Sequence, residues 1–204
     1  VTFRIPGSLE LAEAVLDTWA HEDTFFINPS SVPKPDGRVG ERTLTFEGEF
    51  PDIDTNYGQL PLRTDLIVNF LGKDNYWRDE CKWYMKGDLD SYLNLKNIME
   101  RLQCFDEEQP HYLGMISVLL NPWNAGTKFL SGGPGYLLSR GLLPAAAHWM
   151  PYCMLVLLQH NQGVGMEDSH FGNCIRKMSK NSFGYTIVPF QYTFCFFWFL
   201  SVCF

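Results

Sequence analysis

"CKWYMKGDLDSYLNL", residues 81–95, decides how this chain is read. An apolar run, "KWYM", is followed at once by Gly87, two acids one residue apart (Asp88 and Asp90), and a second apolar stretch. Two readings compete. The acids are either a polar turn that ends a buried strand or a metal site at the rim of a sheet. In an open α/β sheet, ligands gather beyond the carboxyl ends of strands, which is where "GDLD" falls. Two carboxylates flanking an apolar Leu89 can reach one hard cation if the backbone turns there. Carboxylate and water ligands suit Mg²⁺ or Mn²⁺, and such ions usually arrive with a phosphate. Taken alone the motif is weak, because acids after strands are common.

The surrounding chain places this stretch in a repeating context. "LELAEAVLDTWA" (9–20) carries Leu9, Ala12, Leu16 and Trp19 at helical spacing, with Ser8 as N-cap. Phe25 to Ile27 predicts a strand that ends in a turn at Asn28 and Pro29. Residues 30–58 are polar and rich in Pro and Gly, mostly loop, with "TLTFEGEF" (43–50) as a possible strand. "LRTDLIVNFLGK" (62–73) suits an amphipathic helix, and "YLNLKNIMERLQCF" (92–105) predicts another. "HYLGMISVLL" (111–120) is strand-like, "KFLSGGPGYLLSRGLL" (128–143) holds a glycine-rich turn between two apolar runs, and "LLPAAAHWMPYCMLVLLQH" (142–160) is a helix interrupted by Pro151. Alternation of helix and strand from residue 9 to 160 predicts an α/β fold with a mainly parallel central sheet flanked by helices.

Composition narrows the function. A chain of 204 residues with 46% hydrophobic and 19% charged residues is globular, with room for one sizeable core. A formal net charge of −7 leaves no basic footprint, so nucleic acid is not an expected partner. The same charge repels phosphate-bearing ligands at long range, so such a ligand needs a local cation or metal. The six cysteines show no CxxC and no zinc spacing, which argues against structural zinc and leaves disulfides open. The chain opens on Val1, which tells nothing about a targeting segment. From Asn181 to Phe204 there is no charged residue. By length that stretch could span a bilayer, but Pro189, Gln191, its aromatic density and the lack of a following basic residue favour a buried strand or a poorly specified tail.

Two further stretches bear on chemistry. "SGGPGY" (131–136) lets backbone approach a ligand closely, or else makes a tight turn between strand and helix. It has neither the Lys-Ser/Thr nor the spacing of a P-loop. "GMEDSHFGNC" (165–174) supplies a second acidic pair beside a histidine. Its plainer reading is a solvated helix start, where Glu167 and Asp168 favour the N-terminal dipole.

In the same order, these stretches resemble the fringe-like glycosyltransferases, most closely the core 1 β1,3-galactosyltransferase group. "DTW" (17–19) followed by "FFI" looks like that family's Thr-Trp helix and next strand, and "LPLRT" (60–64) is similar to its Leu-Trp-x-Lys-Thr. "KWYMKGDLDSYLNLKNI" matches Trp-Phe-Leu-Lys-Ala-Asp-Asp-Asp-Thr-Tyr-Val, "FLSGGPGYLLSR" looks like Ser-Gly-Gly-Ala-Gly-Tyr-x-Leu-Ser, and "EDSHFGNC" like Glu-Asp-Leu-x-x-Gly-x-Cys. The resemblance runs from residue 1 to about 178. It departs in three places: Leu89 replaces the middle acid, Pro134 replaces an alanine, and a later family histidine has no counterpart because His170 is the last in the chain.

The resemblance implies a GT-A-like catalytic domain over 1–180, with 181–204 an apolar aromatic tail of uncertain status. It implies a UDP-sugar donor and Mn²⁺ or another divalent cation, with Asp90 the main ligand and Asp88 holding the metal or nucleotide. Lys86 would contact the nucleotide; Gly132, Gly133 and Gly135 would wall the transferred sugar, with Tyr136 packed there. Asp168 would be the general base and Glu167 would orient the acceptor or the base. Cys153 and Cys174 would form a disulfide, and Cys81 with Cys104 a second, weaker candidate pair. The implied activity is inverting β1,3 transfer of galactose from UDP-galactose to an O-linked GalNAc on glycoprotein. A fringe-type transfer of GlcNAc to fucose is the rival enzyme, and a catalytically inactive chaperone or binding paralogue the rival that is no enzyme. The implied setting is the Golgi or ER lumen, as a type II membrane protein anchored by a segment outside this chain.

Overall fold

The computed structural model describes residues 2–3, 9–28, 33–45, 60–73, 80–118, 128–160, 167–182 and 186–189. Its elements are β1 (Thr2–Phe3), α1 (Leu9–Thr18), β2 (Phe26–Asn28), α2 (Gly37–Glu41), β3 (Thr43–Thr45), α3 (Leu60–Lys73), β4 (Trp83–Lys86) and α4 (Leu95–Leu102). There follow β5 (His111–Gly114), β6 (Ile116–Val118), β7 (Lys128–Leu130), β8 (Tyr136–Ser139), α5 (Leu143–His160), α6 (Glu167–Ser182) and β9 (Thr186–Pro189). The mixed α/β class holds. Ser8, the expected N-cap, and Pro29 lie outside the described residues.

The largest sheet has the order β4-β8-β5-β9. It corrects the expectation of a mainly parallel centre. β8 runs antiparallel to both β4 and β5, and only β9 is parallel to its neighbour β5. Parallel pairing otherwise occurs, among the described residues, in the small β1-β2-β3 sheet. The misreading has a physical cause. Alternate residues of the central strands feed two separate cores, so both faces are apolar and the strands read as continuous hydrophobic runs, as parallel strands usually do. Tyr84, Tyr112, Tyr136 and Leu138 pack against α3, α5 and α6, through residues such as Leu71, Met150 and Phe171. Trp83, Met85, Leu113 and Leu137 pack on the other face with Ala12, Val15, Ile98 and Leu102 of α1 and α4.

The antiparallel register has a direct consequence. Lys86 at the end of β4 pairs with Tyr136 at the start of β8, which pairs with Gly114 at the end of β5. The turn preceding β8 is therefore brought to the carboxyl ends of β4 and β5. The glycine-rich segment joins two strands, β7 and β8, not a strand and a helix.

Two helices depart from expectation. α5 continues through Pro151 without interruption. Tertiary packing outweighs the lost hydrogen bond there: Pro151 is exposed, while Ala146, Ala147, Met150 and Cys153 are buried around it. α3 crosses α5 so closely that a Cβ on Gly72 would collide with Ala147. α2 forms inside the polar 30–58 segment, where a five-residue helix leaves too little periodicity to distinguish it from loop.

Cys153 of α5 and Cys174 of α6 are joined as a disulfide. Cys81 is also disulfide-bonded, but Cys104 is a free, exposed thiol, so the Cys81–Cys104 pair does not form. Of the apolar tail 181–204, Asn181 and Ser182 complete α6 and Thr186–Pro189 is a strand of the main sheet, while residues 183–185 and 190–204 lie outside the described residues. Among the described residues no helix is long and apolar enough to cross a membrane.

Candidate active site

The "GDLD" stretch is a turn at the rim of the main sheet. The Ser91 N–H donates to the Asp88 carbonyl at 3.3 Å and closes a four-residue loop. Leu89 inserts into the core behind it, which leaves Asp88 partly exposed and Asp90 exposed on the outside. An apolar residue between two acids thus anchors the turn while both carboxylates stay outside. The turn is fixed to the glycine segment by the Ser91 hydroxyl, which donates to the Gly133 carbonyl at 2.7 Å.

Lys86, the last residue of β4, is mostly buried and lies between two carboxylates. Its Nζ is 2.8 Å from Asp88 Oδ1 and 3.0 Å from Glu167 Oε1. Burial alone would lower the lysine pKa, but Glu167 and then Asp88 outweigh it and the net shift is upward, so the ammonium stays charged. Glu167, in the first turn of α6, is fully enclosed. Burial pushes its carboxyl upward, and Lys86 opposes this in part. Its other oxygen, Oε2, accepts from the Thr64 hydroxyl of α3 at 2.9 Å.

Asp168 is held differently. Its Oδ2 accepts from the Gly132 N–H at 2.9 Å and its Oδ1 from the Ser169 N–H at 2.7 Å. Each oxygen keeps a further lone pair, so a substrate hydroxyl can still be bound. Placement at the start of α6 adds the favourable helix dipole.

The three glycines have three different reasons. Gly135 has φ +84°, a conformation that favours glycine, and its N–H donates to the Gly132 carbonyl at 2.9 Å. A Cβ on Gly132 would stand 2.8 Å from Glu167 Oε1 and 3.2 Å from both Asp168 Cβ and Lys86 Nζ. A Cβ on Gly133 would meet nothing within 4 Å. Neither packing nor a positive φ asks for glycine at Gly133, and its open side is where a ligand can approach.

The structure therefore brings Lys86, Asp88, Gly132, Gly133, Glu167 and Asp168 to one edge of the sheet. Tyr136 lies inward of it, wholly buried and stacked on Phe171 with ring centroids 5.2 Å apart. His170 faces the interior, 3.9 Å from Asp65 Oδ2. Both are buried, and desolvation raises the Asp65 carboxyl to about 6 despite His170. Two residues with no role assigned from sequence join the site. Thr64 closes a motif that sequence alone singled out, and Ser91 directly follows the acids.

A divalent cation fits this donor set in part. Asp88 and Asp90 share one exposed turn, and carboxylate oxygens suit Mg²⁺ or Mn²⁺. Among the described residues no third ligand atom completes a cluster with them; the one such group, His21, Glu22 and Asp23, lies on the turn after α1. Water and a ligand's own oxygens would have to fill the remaining positions.

The Fringe-like family profile matches residues 39–185, spanning the acidic turn, the glycine turn and the start of α6. The chain belongs to the Fringe-like family. Over 132 residues it is 29% identical to glycoprotein-N-acetylgalactosamine 3-beta-galactosyltransferase 1 of Xenopus laevis, covering 64% of this chain and 34% of that protein. It is 26% identical over 152 residues to the beta-1,3-N-acetylglucosaminyltransferase radical fringe of Notophthalmus viridescens, covering 67% and 36%. Human chondroitin sulfate synthase 3 is 26% identical over 136 residues, covering 62% and 14%. The chain thus spans little more than a third, or less, of the length of these relatives. Two of these relatives are named as β1,3-type galactosyl- or N-acetylglucosaminyltransferases and the third as a chondroitin sulfate synthase.

Proposed function

We propose that this domain, in a GT-A arrangement, carries out inverting β1,3 transfer of galactose from UDP-galactose to an O-linked GalNAc on glycoprotein. The observation that carries the reading is the meeting of the acidic turn, the glycine turn and Asp168 at one sheet edge, tied by Ser91–Gly133 and Gly132–Asp168. The acceptor hydroxyl oxygen forms the new bond to the anomeric carbon as that carbon's bond to the diphosphate oxygen breaks. Asp168 receives the hydroxyl proton, and UDP departs with the bonding electrons. The open side of Gly133 receives the donor sugar. Asp90 and Asp88 would hold a divalent cation such as Mn²⁺, which would supply countercharge to the leaving diphosphate. Glu167 positions the base and does not touch the acceptor, because its side chain is buried, with Oε2 held by Thr64 and Oε1 beside Lys86, whereas Asp168 is only partly buried. The Cys153–Cys174 disulfide suits the Golgi or ER lumen.

The test is UDP release across a panel of UDP-sugars with a GalNAc-bearing glycopeptide, alongside the shift in melting temperature caused by UDP with Mn²⁺. Galactose transfer and a raised melting temperature are expected. The absence of both UDP release and stabilisation with every donor would sink the proposal. The longer alignment to radical fringe favours, as second reading, transfer of GlcNAc to fucose. The same panel with a fucosylated acceptor separates the two.

A further inference from the structure

α3 sends two adjacent side chains to the start of α6. Thr64 Oγ1 donates to Glu167 Oε2 at 2.9 Å, and Asp65 lies 3.9 Å from His170. The two contacts bracket Asp168 in sequence, and all four residues are buried. Glu167 in turn abuts the ligand-facing edge: a Cβ on Gly132 would come within 2.8 Å of its Oε1, and the Gly132 N–H is the donor that holds Asp168. The same oxygen of Glu167 holds Lys86, which holds Asp88.

Threonine is well chosen for such a post. A helical Thr hydroxyl ordinarily bonds back to the carbonyl one turn earlier, which does nothing for a neighbouring helix. Here it reaches across to another helix and satisfies a buried carboxylate oxygen. Loss of that donor would leave Oε2 without a partner in a site closed to water, and an unsatisfied buried group is costly. The carboxylate would relieve the cost by moving, and Gly132 and Lys86 stand in its path.

We propose that Thr64 is a positioning residue for sugar transfer: through Glu167, which abuts Gly132, it fixes the Gly132–Asp168 bond. This rests on the reading of Asp168 as the base. Thr64 itself touches neither donor nor acceptor, so its effect belongs to turnover more than to donor binding. Small displacements of reacting groups are known to reduce rates steeply without abolishing binding.

Thr64→Val keeps the shape and removes the hydroxyl; Thr64→Ser keeps the hydroxyl. With UDP-galactose and a GalNAc-bearing glycopeptide, Thr64→Val should lower kcat about 10-fold or more while the donor KM changes by less than about twofold. Thr64→Ser should restore kcat to within about threefold of the parent, an outcome that a purely steric role for the residue would not give. Equal turnover in Thr64→Val and the parent overturns the inference, as does equal loss in both variants. If Thr64→Val yields no folded protein, Thr64→Cys, with its poor donor, takes its place in the comparison. Parent protein and Asp168→Asn are measured alongside. An active parent, an inactive Asp168→Asn and a fully active Thr64→Val defeat this inference alone. A parent inactive with every donor defeats the transferase reading and the inference together.

Discussion

Ser91 and Gly133, 42 positions apart, are joined by a 2.7 Å hydrogen bond from the serine hydroxyl to the glycine carbonyl. That bond registers the acidic turn against the glycine turn. Ser91→Ala should destabilise the fold by about 1 kcal/mol, since a half-buried carbonyl loses its donor. It should also weaken UDP binding in Mn²⁺ several-fold. Chemical denaturation and calorimetry read the two effects separately. Unchanged UDP affinity would mean that the turns need no mutual registry.

The glycines predict a contrast. At Gly132 a methyl group would press on Glu167 and Lys86, both buried and fixed by their ion pair. Gly132→Ala should therefore cost about 1–3 kcal/mol, the usual range for overpacking. At Gly133 a methyl enters open space, so Gly133→Ala should leave stability within about 0.5 kcal/mol. It should nevertheless raise the KM for the UDP-sugar. Equal melting temperatures for the two variants would contradict the packing described here.

With two carboxylates and no third ligand among the described residues, the protein alone should bind Mn²⁺ weakly. UDP should tighten Mn²⁺ binding, and by linkage Mn²⁺ must tighten UDP by the same factor. Asp90→Ala should abolish the coupling, and Asp88→Ala should reduce it. Titration calorimetry with each ligand, alone and together, decides the matter. UDP binding that is the same in Mn²⁺ and in chelator would reduce "GDLD" to a strand-ending turn.

Asp65 makes stability depend on pH in an unusual direction. Its carboxyl ionises near 3.8 when exposed and near 6 in the fold, because burial disfavours the charge more than His170 favours it. Below about pH 4 both states hold the proton and nothing is lost. Between about 4 and about 6 the folded protein keeps a proton that the unfolded chain has released, so its stability from this group falls as pH rises. Above about 6 the deficit is constant, on the order of 3 kcal/mol. Asp65→Asn should thus raise the melting temperature at pH 7.5, and the gain should vanish near pH 4. A gain of equal size at both values would show that the Asp65 charge is not its source.

Local sequence determined much of this protein, wherever the relevant forces act over a few residues. Leu9 to Thr18, Leu60 to Lys73 and Leu95 to Leu102 are helices because their apolar residues recur at helical spacing, and Trp83 to Lys86 is a strand that ends in the acidic turn. The stretches that meet at the candidate site were legible too: "GDLD", "SGGPGY" and "EDSHFGNC" carry Asp88, Gly132, Gly133, Glu167 and Asp168. Tertiary structure alone decided how the strands run, because a strand buried on both faces has the same apolar pattern whichever way its neighbour points. It also decided that Pro151 stays within a helix and that Cys104 stays free, since both depend on packing between distant segments. The part played by Thr64 was equally hidden. A hydroxyl in a helix has no pattern to betray its partner, and Glu167 lies 103 positions away, so only folding could show that the two meet.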